Sequence, residues 1–409
     1  MEKDENGATV ITFGINVANP SQQEPAANAI VEAFNKENVG TYKVEFEAAD
    51  TESHNKNMKL EASDGTLPEV FWLENSQAAD YIDSDVLMDL TEFLGRNADI
   101  KEVLNGSEQA FQDDSGMQYG LPYQSNVQGI FYNKALFDEA GVDYPTDDTT
   151  YDEFLDMVDK LKAGGVTPLA IGSKNSSYSM WEFNLWLSRH GWAENIDDIL
   201  NGDGKFDNPD LNACFEKIKD LADAGAFPSN VSTIEYFDAK QQFDDGKAAM
   251  YGTGQWDCSE FDTNIGENIG FWWGPKFEDS DYEQNLDMKV PSAPIAVNAE
   301  VSDNEEIKEA TYAFLKFYYS EEAAKISYEN SMFPATNYEG LAPSEDKHAM
   351  NAMVDALSNG WQSPTAAPDQ TMPAAVQQAL YDGIFGVIQG TYTTQEALTK
   401  MDEALSNAK

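Results

Sequence analysis

The chain has 409 residues, with 25 basic and 73 acidic side chains and three histidines, for a formal net charge of −48. A surface this negative repels phosphate backbones and anionic headgroups, which argues against nucleic-acid binding and against peripheral docking on a membrane. At 41% hydrophobic and 12% aromatic residues the chain is too apolar to stay disordered, and its length fits two or three domains with separate cores.

The segment Met1–Gly7 is a polar, acidic tail, of the kind a processed or engineered start leaves. Strand then alternates with helix. Thr9–Phe13 is short and β-branched, and the spacing of Ala26, Ile30, Val31 and Phe34 predicts a helix over Pro25–Glu37, with Pro25 in its first turn. Tyr42–Phe46 alternates as a strand, Asn55–Ser63 reads as a helix, and Pro68–Trp72 as a buried strand. This β-α-β-α-β order predicts a parallel sheet whose ligands bind beyond the strand C-terminal ends, just after Phe13 and Val70.

A second block starts near Gly129. Ile130–Asn133 is a strand, and Tyr151–Lys162 a helix with Phe154, Leu155, Val158 and Leu161 on one face. Pro168–Ile171 is a strand, followed by a tryptophan-rich helical stretch over Trp181–Trp192 and helices at Leu211–Ala222 and near Ala239–Phe243. The strand Ala248–Tyr251 runs into Gly252-Thr253-Gly254-Gln255-Trp256, and Pro291–Val297 is extended ahead of a helix carrying Ile307, Tyr312, Phe314, Leu315 and Tyr318. The last ~60 residues read as helices. The weakly charged stretches Met372–Tyr381 and Gly383–Gln395 fall short of the ~20 apolar residues that span a bilayer.

Metal and nucleophile chemistry find little material. Cys214 and Cys258 read as two free core thiols, and His54, His190 and His348 stand in unrelated contexts. The loop Asn201–Asp207 hints at a calcium site, but Lys205 occupies a ligand position and no Glu closes the twelfth place, so it reads as an Asx/Gly turn. No metal, cofactor or catalytic residue is expected.

One segment is distinctive. Tyr119-Gly120-Leu121-Pro122-Tyr123, followed by Gly129-Ile130-Phe131-Tyr132-Asn133-Lys134-Ala135-Leu136-Phe137-Asp138-Glu139-Ala140-Gly141-Val142, resembles the hinge-crossing segment of extracellular solute-binding proteins of ABC sugar transporters, relatives of maltodextrin-binding protein. Further likenesses follow in order: Leu67–Trp72 (with Glu69 where the family has Asp), Leu87–Thr91, Tyr151–Phe154, Thr167–Ala170, Phe243–Gly254 and Phe333–Ala335. The resemblance implies an α/β fold of the periplasmic-binding-protein type II class, two lobes joined by multiple crossings with the sugar clamped between them. The expected lobes are residues 1–126 with 296–332, and 129–291 with 335–409, crossing near Asn126–Gly129, Pro291–Pro294 and Phe333–Ala335. It further implies a monomer that delivers its ligand to transmembrane permease subunits from the outer face of the cytoplasmic membrane. There an N-terminal lipid would hold it, on a cysteine whose place Met1 takes here.

Sugars present apolar C–H faces and hydroxyl edges, so their sites combine flat aromatic rings with fixed donors and acceptors. Asn16 and Asn19 follow the first strand and serve either hydroxyls or loop caps. Trp72, Glu74 and Asn75 stand at the end of the third, where the resemblance places acceptors; Trp72 alternatively packs in the core. Gln124 and Asn126 follow the Leu-Pro-Tyr turn, Asn126 matching an acidic ligand residue of the family. Trp181 lies where the family places a stacking aromatic, whereas Trp186 and Trp192, at helical spacing, read as core. Trp256 ends a strand after two glycines that would let backbone approach a ligand, and it matches the family's principal stacking tryptophan. Trp273 is a candidate wall or core residue, and Asp369 and Gln370 precede the helix Pro373–Tyr381, near where the family closes its site. Two other readings compete. A glycosidase would also need carboxylates and aromatics, but 73 acidic residues make a chance pair uninformative. A polyamine or other small cation would suit the acidic loops, whereas phosphate would want Arg or Lys in them.

Overall fold

The computed structural model describes residues 3–174 and 178–408. The chain forms two compact units, one holding the N-terminal part to Asn126 with Pro291–Ser344, the other Val127–Val290 with Glu345–Lys409. The last passage from one unit to the other falls beyond the expected Phe333–Ala335. Ser125 holds those residues in the first unit, donating from its N–H to Phe333 O at 3.2 Å and from its hydroxyl to Pro334 O at 3.0 Å.

The first unit is built on a five-stranded sheet. Its strands are Thr9–Ile15 (β1), Tyr42–Ala48 (β2), Val70–Trp72 (β3), Leu121–Pro122 (β4) and, returning late in the chain, Pro294–Val297, which is β10. The order is β2-β1-β3-β10-β4, with β1 parallel to β2 and β3, and β10 antiparallel to β3 and β4. Six of the seven β1 residues are buried, as a strand covered on both faces requires. The helix Pro25–Glu37 lays Ile30, Val31 and Phe34 on the sheet, and Glu305–Tyr318 adds Phe314 and Leu315. Phe314 meets Phe13 and Phe34 at ring-centroid distances of 5.6 and 5.4 Å.

The second sheet has the strands Ser125–Asn133 (β5), Thr167–Ala170 (β6), Ala248–Gly254 (β7), Ile269–Trp272 (β8) and Lys289–Pro291 (β9), all in the second unit except for Ser125, Asn126 and Pro291. The order is β6-β7-β5-β8, with β9 also on β5; β6 and β7 are parallel, and β5 is antiparallel to β7 and β8. The helix Tyr151–Ala163 starts on a capping box between Thr150 and Glu153. The tryptophan-rich stretch is two helices, Trp181–Ser188 and Trp192–Asn201, because Gly191 turns the chain at φ +77°. Trp186 and Trp192 are core, and Cys214 and Cys258 are buried free thiols.

Trp273 is corrected to core. It is 1% exposed, its ring packs on Phe271 at 4.8 Å, and its indole N–H donates to Ala356 O at 3.1 Å. It has neither a free face nor a free donor for a ligand.

Candidate functional site

In the second unit, β7 is buried along its whole length and ends in a short turn, Gln255–Asp257, that lifts Trp256 to the surface. Trp256 is 36% exposed. Beside it stands Trp181, at the start of the helix Trp181–Ser188, with ring centroids 5.2 Å apart and planes inclined at 64°. Trp181 also meets Tyr236 at 5.1 Å and Tyr178 at 5.8 Å, and Phe237 extends the group from Tyr236. Tyr178 and Phe237 are exposed. Two sequence candidates, Trp181 and Trp256, are thus brought together within a continuous aromatic surface.

Beneath this surface lies a buried polar cluster. The Trp256 indole N–H donates to Tyr236 Oη at 3.0 Å. Tyr236 donates in turn to Asp257 Oδ2 at 2.5 Å, and Thr253 Oγ1 donates to the same oxygen at 2.6 Å. Lys240 Nζ lies 3.3 Å from Asp257 Oδ1 and 2.5 Å from Glu260 Oε2. Burial pushes the Asp257 carboxyl up, while its bonds from Thr253, Tyr236 and Lys240 pull it back. Burial and then Asp257 push the Tyr236 phenol up, so that it stays protonated and donates. Neither Tyr236 nor Asp257 stood out in the sequence. Tyr236 falls one turn ahead of the predicted helix, and nothing local links it to a tryptophan 20 residues later.

The glycines of β7 have a different role from the one their sequence suggests. A Cβ on Gly254 would fall on the six-membered ring of Trp256, 2.8 Å from Cε3 and closer to its neighbours. A Cβ on Gly252 would lie 2.6 Å from Glu182 Cδ. Both positions are seats for side chains of this chain.

The same helix reaches the other candidates of this unit. Asn184 Nδ2 donates to Gln128 Oε1 at 3.1 Å, and its Oδ1 accepts from Asp369 N at 3.3 Å. Asp369 is 3% exposed and turned inward, accepting from Tyr381 Oη at 2.9 Å and from Gln370 Nε2 at 3.1 Å. It ties the loop to the helix rather than facing solvent; Gln370 is exposed.

In the first unit the candidates follow the strands β1, β3 and β4. Trp72 is half-buried against the core, and its carbonyl accepts from His54 Nε2 at 2.8 Å, a neutral imidazole because burial lowers its pKa. Glu74 is half-buried; burial raises its carboxyl above the usual range and a bond with Asn55 opposes this. Asn75 is exposed at the start of the turn Asn75–Gln77. Asn19 stands just ahead of the short helix Pro20–Gln23 without a side-chain capping bond; its Oδ1 accepts from the Ser21 hydroxyl and its N–H donates to Gln23 Oε1. Asn16 is half-buried and its carbonyl accepts from Thr51. Gln124 N–H donates to Ser292 Oγ at 3.1 Å and its carbonyl accepts from Ser292 N at 2.9 Å; like Asn126, it is half-buried. Sequence reasoning passed over Glu24, which precedes Pro25 and so looks like a helix cap. Its side chain makes no capping bond. It accepts instead from Tyr123 Oη at 3.1 Å, and burial raises it to about 7.

Taken together, the second unit offers inclined aromatic faces fixed by buried hydrogen bonds, and the first a half-buried tryptophan with polar side chains at strand ends. Such surfaces suit a solute with apolar faces and hydroxyl edges.

The chain is 31% identical over 147 residues to the multiple sugar-binding protein of Streptococcus mutans serotype c, 34% of this chain and 33% of that protein. It is 29% identical over 159 residues to the sn-glycerol-3-phosphate-binding periplasmic protein of Brucella abortus, 38% and 36% of the two chains. Each match therefore spans about a third of the curated relative. A chitin oligosaccharide binding protein of known structure superposes with a TM-score of 0.78 at 23% identity, covering 97% of this chain and 98% of its own, which establishes the shared fold. Residues 29–353 match the family described as bacterial extracellular solute-binding protein, and with that match over most of its length the chain belongs to this family.

Proposed function

We propose that the chain is a non-catalytic receptor for an oligosaccharide, which it hands to the permease subunits of an ABC transporter. The observation that carries the reading is the pair Trp181–Trp256, two indoles held at 64° and partly open to solvent. Inclined rings of this kind stack on sugar faces. The relatives' names point to sugars and to a glycerol phosphate. A phosphate needs a free cation, and Lys240, beside the aromatic surface, is committed to Asp257 and Glu260. That favours the sugar. The receptor works as a monomer, tethered by an N-terminal lipid at the outer face of the cytoplasmic membrane.

Calorimetric titration with maltotriose, xylotriose, chitotriose, glycerol 3-phosphate and spermidine tests this. At least one trisaccharide should bind, shift the tryptophan fluorescence and be recovered intact. Heat from glycerol 3-phosphate or spermidine alone, or shortened sugar in proportion to protein, would overturn it.

A further inference from the structure

Trp256 is fixed from two sides. Its six-membered ring rests on Gly254, and its indole N–H is bonded to Tyr236 Oη at 3.0 Å. A phenol has one proton and could point it toward the indole or away from it. Here the proton is drawn away. Asp257 Oδ2 takes it at 2.5 Å, which leaves the Tyr236 lone pairs facing the Trp256 N–H. Asp257 is 4% exposed and is itself held by Thr253 Oγ1 and by Lys240, so its carboxylate cannot swing to solvent. Thr253 also lies 3.1 Å from Tyr236 Oη, because both hydroxyls converge on the one carboxylate oxygen. The cluster closes on itself through the backbone: Thr253, Trp256 and Asp257 share the end of β7 and its turn, while Tyr236 and Lys240 are one turn apart on the helix Tyr236–Asp244.

We propose that Tyr236 and Asp257 are positioning residues that set the angle of the Trp256 ring before any solute arrives. A surface tryptophan free to change rotamer would have to be immobilised on binding; one already held loses little freedom, and the difference appears as affinity. The inference rests on the reading of Trp256 as a sugar-stacking residue only for its effect on affinity. The ordering of the ring is a property of the unliganded protein.

The test uses the full chain labelled with 5-fluorotryptophan, the Trp256 resonance being assigned by its loss in Trp256→Phe. In the unliganded parent it should be a single sharp line. Tyr236→Phe, which keeps the ring and removes the hydroxyl, should broaden or split it while the lines of Trp186 and Trp273 stay in place. Asp257→Asn, which keeps the shape but offers a donor where Tyr236 needs an acceptor, should do the same to a smaller degree. For whichever of maltotriose, xylotriose or chitotriose binds the parent, Tyr236→Phe should weaken binding by roughly tenfold. The same change made on top of Trp256→Phe should cost nothing further. A Trp256 line that stays sharp in both variants overturns the positioning role, whatever the protein binds. A line that broadens in a protein that binds none of the three sugars upholds the positioning role and removes the sugar instead.

Discussion

Glu182 offers a quantitative check on how the aromatic surface is supported. It occupies the second position of the helix Trp181–Ser188, is 2% exposed, and neither carboxylate oxygen has a hydrogen-bond partner. Burial raises its pKa from 4.5 to about 8. The native state therefore keeps this proton up to about pH 8, while the unfolded chain releases it near 4.5. Between those values the unfolded state binds fewer protons, so stability falls as the pH rises through the window and levels off above it. At ~1.36 kcal/mol per tenfold change in proton affinity the ceiling is about 5 kcal/mol, and structural relaxation brings the expected loss to about 3–5 kcal/mol. Glu182→Met keeps a similar volume against Gly252 and removes the titration. At pH 4, where the carboxyl is mostly neutral in both states, the variant should be more stable by only about 1–3 kcal/mol, the cost of burying a polar group that has lost its water and found no partner. At pH 8.5 the gap should have widened by about a further 3–5 kcal/mol. Urea unfolding at pH 4, 6 and 8.5 measures both arms, and other titrating groups cancel in the difference. A gap that does not change with pH would refute the reasoning.

Trp256→Ala should cost about 2 kcal/mol or more of sugar affinity by calorimetry. The residue is 36% exposed, so melting should move little; a variant that melts much earlier and binds normally would make it a core residue. Gly254→Ala puts a methyl group where the Trp256 ring lies; affinity for the best trisaccharide should fall about tenfold, and an unchanged value would mean the ring is not seated there. Glu24, raised to about 7 by burial, should likewise lower stability as pH rises from about 4.5 to 7. It is half-buried, so melting curves of Glu24→Gln should show about 1–2 kcal/mol of that slope removed, and a parent and variant with the same slope would count against it.

The alternation of strand and helix was legible because local signals coincide there. Pro25 sits at the first turn of a helix whose apolar spacing matches its buried face, and Thr150 with Glu153 forms the capping box that starts the next unit's first long helix. Trp256 stood out as an aromatic at a strand end, and Trp181 only through the family resemblance. What was lost lies in partners distant in sequence. Trp272 and Trp273 send their indole N–H groups to Thr146 O and Ala356 O, so of the two readings left open at Trp273, wall or core, the structure favours core. The glycines of β7 were read as room for a ligand, and only the fold shows that Trp256 and Glu182 fill that room. Asp369 was a candidate only through the family resemblance, and its bond from Tyr381, twelve residues on, is one the sequence does not show.

The helix Trp181–Ser188 fixes one of the two tryptophans that meet at 64°. Every residue after Trp181 is buried, so this helix is enclosed on all sides rather than on one face. Trp186 packs edge-on against Phe154, Phe183 and Phe277, and Asn184 bonds both Gln128 of β5 and the Asp369 loop. An element held in this way cannot roll without breaking several contacts at once, so Trp181 takes its direction from the core. Trp256 takes its direction from hydrogen bonds at a strand end, a weaker and separable device. Core substitutions should therefore disturb Trp181 only together with folding, whereas changes at Tyr236, Asp257 or Gly254 can retune Trp256 and leave the fold standing. The adjustable half of the surface is the half set by polar contacts.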